Sequence, residues 1–130
     1  MRCYVDITMS HTGGIRKGDG RAEVMISTEL NGEPRSAGPY TVEVKGESRQ
    51  TLAIRAVVEA LKHFTKSGQE IVIRMEDPYV RGNWQYLQRW HAEEYRGRNG
   101  KPVKNEQEWR LIWMAAQSQH ITFEAQYGAV

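Results

Sequence analysis

The stretch SRQTLAIRAVVEALKHFTKSGQEIVIRME, Ser48 to Glu76, contains a change of period that decides the fold. Leu52, Val57, Ala60, Leu61 and Phe64 fall at helical spacing, and Ser67-Gly68 is a C-terminal stop signal. Glu70 to Glu76 then returns to strand with a β-branched run. A helix of this length between strands makes a right-handed crossover, so this strand is expected to lie parallel to the first strand of the chain.

Upstream, Arg2 to Met9 alternates, with Cys3, Val5, Ile7 and Met9 on one side and Tyr4, Asp6 and Thr8 on the other. His11 to Gly20 is a glycine-rich turn without the Gly-Lys-Ser/Thr ending of a phosphate loop. Arg21 to Leu30 alternates again, Asn31-Gly32 is a hairpin signal, and Ser36 to Val44 supplies a third strand. Downstream, Gly82 to Tyr95 and Asn105 to Gln117 read as helices around the loop Gly97-Arg98-Asn99-Gly100, and His120 to Tyr127 as a last strand. The expected architecture is a single α/β domain over residues 1–130, ordered βββαβααβ. An antiparallel meander would lead into two strands parallel to the first, with helices mainly on one face of a five-stranded mixed sheet.

The single cysteine, Cys3, rules out an internal disulfide framework and suits a reducing compartment. No charged-then-apolar leader and no apolar run of about 18 residues is present, so the expectation is a soluble, cytoplasmic protein. His11, His63, His91 and His120 have no metal-ligand spacing. The net charge of +2 is too small to indicate a partner by itself, but its distribution is uneven. Arg81, Arg89, Arg96, Arg98, Lys101, Lys104 and Arg110 are interleaved with Trp84, Tyr86, Trp90, Tyr95 and Trp109. That is the composition of a phosphate-tracking surface, diluted by Glu93, Glu94, Glu106 and Glu108; a solvated helix pair would have the same composition.

Tyr79-Val80-Arg81 after the fourth strand, Trp90, the basic connection from Arg96 to Lys104, and the run Lys101-Pro102-Val103-Lys104-Asn105 followed by Trp109 stand in an order and spacing that resembles the type 1 ribonuclease H family. In the first half the resemblance rests on Asp6 and on the helix ending Val58-Glu59-Ala60-Leu61, and it spans about Arg2 to Gly128. It implies a ribonuclease H-like fold and a nucleic-acid partner, an RNA/DNA hybrid or a duplex. It also implies carboxylates that hold two divalent ions for cutting RNA.

Carried over residue by residue, the resemblance places the first family aspartate at Asp6, in Asp6-Ile7-Thr8 where the family has Asp-Gly-Ser. The second family carboxylate falls on Gln50 and the third on Glu76, with Asp77 as its neighbour. A fourth, on a helix beyond the fifth strand, finds no counterpart before Val130, and Gly128-Ala129 stand where the family has a loop histidine. The implied metal ligands are therefore Asp6 and Glu76 alone, and Mg²⁺ or Mn²⁺ is expected to bind weakly or not at all, because magnesium needs charged oxygen ligands in near-octahedral order. The implied nucleic-acid contacts are Trp90, Arg96, Arg98, Lys101, Lys104 and Asn105.

Each feature also has a plainer explanation. Asp6 could lie on a solvated face or pair with Arg74, which would then act as a built-in cation. Glu47 reads as a helix-dipole residue before it reads as a displaced ligand, and Glu59 as surface. Trp84, Tyr86 and Trp90 could be rim or core, and Trp109 and Trp113 read as core. Tyr4, Asp6, Thr8, Arg74, Glu76, Thr122, Glu124 and Gln126 share the non-core side of their strands, opposite Ile71, Ile73, Met75, Ile121, Phe123 and Ala125, which predicts a sheet with one wet face. Three readings follow: a hybrid or duplex binder with hydrolysis lost or weak; an active hybrid endonuclease using Asp6, Glu76, Asp77 and Glu47 or Gln50; or an interaction module that forms a homodimer or docks a partner through the open sheet face.

Overall fold

Cys3, Val5 and Ile7 are buried on one side of the first strand, β1 (Arg2–His11), while Tyr4 and Asp6 are half-buried on the other. A computed structural model describes residues 2–13 and 16–125, and the alternation of β1 sets its plan. β1 is the middle of a five-stranded sheet ordered β3-β2-β1-β4-β5. β2 (Gly18–Leu30) and β3 (Glu33–Glu47) form the antiparallel meander, and β4 (Glu70–Met75) and β5 (His120–Glu124) run parallel to β1. The right-handed crossover expected of the Ser48–Glu76 stretch is the source of that mixture.

Helix α1 (Arg49–Leu61) starts at Ser48, whose hydroxyl accepts from the Thr51 amide at 3.2 Å. Leu52, Ala53, Ile54, Ala56, Val57 and Ala60 are fully buried against β1, β2 and β3. α4 (Glu106–Ser118) lies beside α1 and buries Trp109 and Ile112. The helices occupy one side of the sheet, and among the described residues none covers the other side. No described helix is long and apolar enough to cross a membrane.

Between Tyr79 and Ala92 the expected single helix is replaced by three short pieces: α2 (Tyr79–Asn83), a 3-10 turn (Trp84–Tyr86) and α3 (Leu87–Ala92). The chain turns helical earlier than expected because Asp77 Oδ1 accepts from the Tyr79 amide at 2.9 Å, behind Pro78. After Asn83 it tightens into the 3-10 turn, whose first residue, Trp84, meets Phe123 of β5 edge-on at 5.1 Å. The helical run ends with Glu94 and Tyr95 at positive φ, which buries the Tyr95 ring.

The strands of the meander are longer than their alternation suggested, and His11 ties their ends together. Its Nε2 donates to the Glu47 carbonyl at 2.8 Å and its Nδ1 accepts from the Gly13 amide at 3.1 Å. The β2–β3 register shifts at Met25, the residue paired with Asp6 on β1. Opposite this bulge Gly38 adopts φ 111°, and a Cβ there would meet the Val24 carbonyl oxygen at 2.6 Å. Ala125, expected on the core side, is exposed because pairing ends at Glu124. Gln126, Tyr127 and Gly128-Ala129 lie outside the described residues.

Candidate nucleic-acid interface

Arg96 to Val103 folds into a small hairpin. Arg96 bridges to Pro102, the Gly97 amide donates to the Lys101 carbonyl at 2.7 Å, and the Val103 amide donates to the Tyr95 carbonyl at 2.9 Å. Gly97 and Gly100 make the turn, and Asn99 Oδ1 accepts from the Lys101 amide at 3.0 Å. Arg96, Arg98 and Lys101 are exposed on this frame. Its base is fixed by the buried Tyr95, whose ring carries the Arg110 guanidinium at 4.4 Å; burial, foremost, raises the Tyr95 hydroxyl above its ordinary pKa.

The aromatics of the basic segment differ in burial. Trp109 is core, as its spacing suggested, and Tyr95 is core as well, which corrects its expected place among surface cations. Trp84 and Trp90 are partly buried, Trp90 meeting Trp109 edge-on at 5.3 Å and Tyr86 at 5.9 Å. Tyr86 is exposed, with the Arg89 guanidinium over its ring at 5.2 Å. Trp113 is only half-buried and stacks on His91 at 4.1 Å, so it borders the core rather than filling it.

Lys104 and Asn105 reach from the hairpin toward the start of α1, Lys104 remaining exposed. Lys104 Nζ donates to Ser48 Oγ at 2.9 Å and to Gln50 Oε1 at 3.0 Å, above the first turn of α1. Asn105, at φ 60°, accepts from the Thr51 hydroxyl at 3.0 Å and donates to Tyr79 Oη at 3.2 Å. Ser48, Arg49, Gln50, Asp77, Pro78, Tyr79 and Lys104 line a cavity of about 280 Å³. Arg49, Ser48 and Tyr79 were not among the expected site residues. Ser48 was legible as a helix start and Tyr79 as part of Tyr-Val-Arg, but the 2.9 Å pair of Arg49 with Asp77 joins residues from α1 and the end of β4 and has no local signal.

Several of the residues that the resemblance grouped are engaged by the protein's own cations. Both oxygens of Asp77 are used, one by Arg49 and one by the Tyr79 amide. Gln50 is engaged by Lys104, and Glu76 is exposed. On the open face of the sheet Asp6 Oδ1 accepts from Arg74 Nε at 2.7 Å and Asp6 Oδ2 from Arg74 Nη2 at 2.8 Å. The Asp6 carboxylate, through this hydrogen-bonded pair, raises the Arg74 pKa further above its usual range. Among the described residues no three acidic, histidine or cysteine side chains come together as a metal-holding group. Glu47 joins no such group, and Glu59 pairs with Lys62 and His63 on the helix surface. This donor set does not fit a pair of magnesium ions, which want several free charged oxygens around each ion.

Comparison with known proteins agrees with the topology. The RNase H family model matches residues 4–128. A ribonuclease H of Actinobacillus succinogenes is 34% identical over 71 residues, covering 54% of this chain and 46% of the relative, so the chain spans about half the length of that protein. Among solved structures, LC9-RNase H1, a type 1 RNase H with the type 2 active-site motif, superposes with a TM-score of 0.75 at 18% identity, covering 95% of this chain and 62% of its own. The foamy viral protease-reverse transcriptase in complex with RNA/DNA hybrid superposes at 0.68 and 16% identity, over 95% of this chain and 17% of its own. LC11-RNase H1 in complex with RNA/DNA hybrid does so at 0.57 and 12% identity, over 95% and 86%. With the β3-β2-β1-β4-β5 sheet and a family match over nearly its whole length, the chain belongs to the RNase H family.

Proposed function

We propose that this protein binds the backbone of an RNA/DNA hybrid or duplex, with hydrolysis lost or weak. The observation that carries the reading is the hairpin from Arg96 to Val103, which holds three exposed cations on a hydrogen-bonded frame. A fixed frame presents charge to phosphates without the entropy cost of ordering a loose loop. Trp90 and Lys104 flank it, Trp90 offering a half-buried ring and Lys104 a positive charge at the start of α1. Both ligands have precedent among structural relatives of this fold, two of which hold an RNA/DNA hybrid and one a DNA duplex. Recognition would be of backbone shape and 2′-hydroxyls, as expected for A-form geometry. Loss of hydrolysis is supported by the engagement of Asp6, Gln50 and Asp77 with the protein's own cations.

The test is binding and cleavage of a labelled hybrid in one titration, at two salt concentrations, with Mg²⁺, Mn²⁺ or EDTA. Salt-sensitive binding, indifferent to metal and with the RNA strand intact, is expected. Metal-dependent cutting that Asp6→Asn abolishes would overturn the loss of hydrolysis, and affinity unmoved by salt would overturn the backbone reading.

A further inference from the structure

Asp6, Arg74 and Glu124 stand in one row across three parallel strands. Asp6 pairs with Arg74 in the β1–β4 register, and Arg74 pairs with Glu124 in the β4–β5 register. The row lies on the face that no described helix covers. Its central guanidinium therefore has a carboxylate on either neighbouring strand, each strand about 4.8 Å away. Asp6 gives both of its oxygens to Arg74, Glu124 adds its charge through space, and the face of Tyr4 lies 4.5 Å from the guanidinium carbon. Negative groups thus surround one fixed, permanently charged cation in bidentate geometry.

We propose that Arg74 is the resident cation of this face: it takes the place at Asp6 that a divalent ion would need, and its charge keeps Mg²⁺ and Mn²⁺ away. A metal approaching Asp6 would have to break two charge-assisted hydrogen bonds and then sit beside a positive group tethered to the adjacent strand. Strand register, not a mobile loop, holds that group there. A residue with no charge at position 74 would free both Asp6 oxygens and remove the positive charge beside them, so that a hard dication could bind there. The inference rests on the reading of hydrolysis as lost or weak. It is tested without nucleic acid, so its failure and a failure of hybrid binding are separate results.

The measurement is depletion of the free Mn²⁺ electron paramagnetic resonance signal by wild type, Arg74→Gln, Arg74→Lys and the double variant Asp6→Asn/Arg74→Gln, with circular dichroism to confirm folding. Wild type and Arg74→Lys should leave the signal unchanged, and Arg74→Gln should bind Mn²⁺ about tenfold or more tighter than wild type. The double variant should lose that gain. Arg74→Thr, which favours strand, gives the same reading if the glutamine variant does not fold. Stoichiometric Mn²⁺ binding by wild type that Asp6→Asn removes would overturn the proposal. A folded, neutral position 74 variant that binds no better than wild type would overturn it as well.

Discussion

Asn105 Oδ1 accepts a hydrogen bond from the Thr51 hydroxyl at 3.0 Å, joining the residue that opens α4 to the first turn of α1. The same side chain donates to Tyr79 Oη, which also accepts from Trp109 Nε1 at 3.4 Å. One side-chain amide therefore ties α1, α2 and α4 together. It also sets Lys104, its neighbour, over Ser48 and Gln50. The basic hairpin is anchored at this end by the part-buried hydrogen bonds of Asn105 and by the exposed bonds of Lys104.

Asn105→Ala should therefore cost roughly 2–3 kcal/mol, from two lost hydrogen bonds and from an alanine forced into the left-handed region. Asn105→Gly loses the same bonds but relaxes the φ of 60°, so it should be about 1 kcal/mol milder. Urea denaturation of both variants checks the pair. Equal losses would mean that the backbone conformation carries no strain.

Arg49 and Asp77 make a second tie, between α1 and the end of β4, with the Asp77 side chain only 7% exposed. Asp77 also accepts from the Tyr79 amide, so Asp77→Ala removes an ion pair and a helix start together. It should lower stability by roughly 2–3 kcal/mol, while Asp77→Asn, which keeps the acceptor for Tyr79, should cost about 1 kcal/mol less. Thermal unfolding of the two variants decides whether the acceptor or the charge matters more.

The meander, the parallel β4 and the wet sheet face were legible because period 2 and period 3.6 are local signals, and the crossover rule sets β4 parallel to β1. The polar side was readable down to Asp6 and Arg74, whose pairing follows from register once β1 and β4 are known to be parallel. What was not legible is long-range. Nothing near Tyr95 in sequence marks it as core, since its burial depends on a positive φ and on Arg110 closing over it. Nor does anything near Asn105 distinguish a phosphate contact from an internal tie; its family spacing is compatible with both, and only the positions of Thr51 and Tyr79 reveal the second. The three-piece helix between Tyr79 and Ala92 was missed because local periodicity carries no sign of the Trp84–Phe123 contact made across to β5.

The raised Tyr95 pKa gives a pH dependence with a definite sign. Burial, its largest cause, disfavours the phenolate in the folded state, while Arg110 opposes this and Glu106 adds to it. The folded protein thus holds the proton more tightly than the unfolded chain, so stability is fully present below the unfolded tyrosine value of about 10 and falls as pH rises beyond it. Denaturant midpoints from neutral pH to about 11 should drop more steeply for wild type than for Tyr95→Phe. Parallel curves would mean that Tyr95 ionises as freely as in the unfolded chain.

The hairpin cations and the inner residues should affect hybrid binding differently. Arg96, Arg98 and Lys101 are exposed, so each alanine substitution should leave unfolding within about 0.5 kcal/mol of wild type. Each should also weaken hybrid binding and lower the slope of log affinity against log salt by up to about 0.9. Trp90→Ala should weaken binding with little change in that slope, because a ring displaces no counterion, and it should cost roughly 1–3 kcal/mol of stability through its contact with Trp109. Salt titrations of the four variants, read beside their unfolding curves, separate charge contact from packing. If the three cation variants keep the wild-type slope, the hairpin does not meet the phosphates, and the binding face must be sought on another side of the molecule.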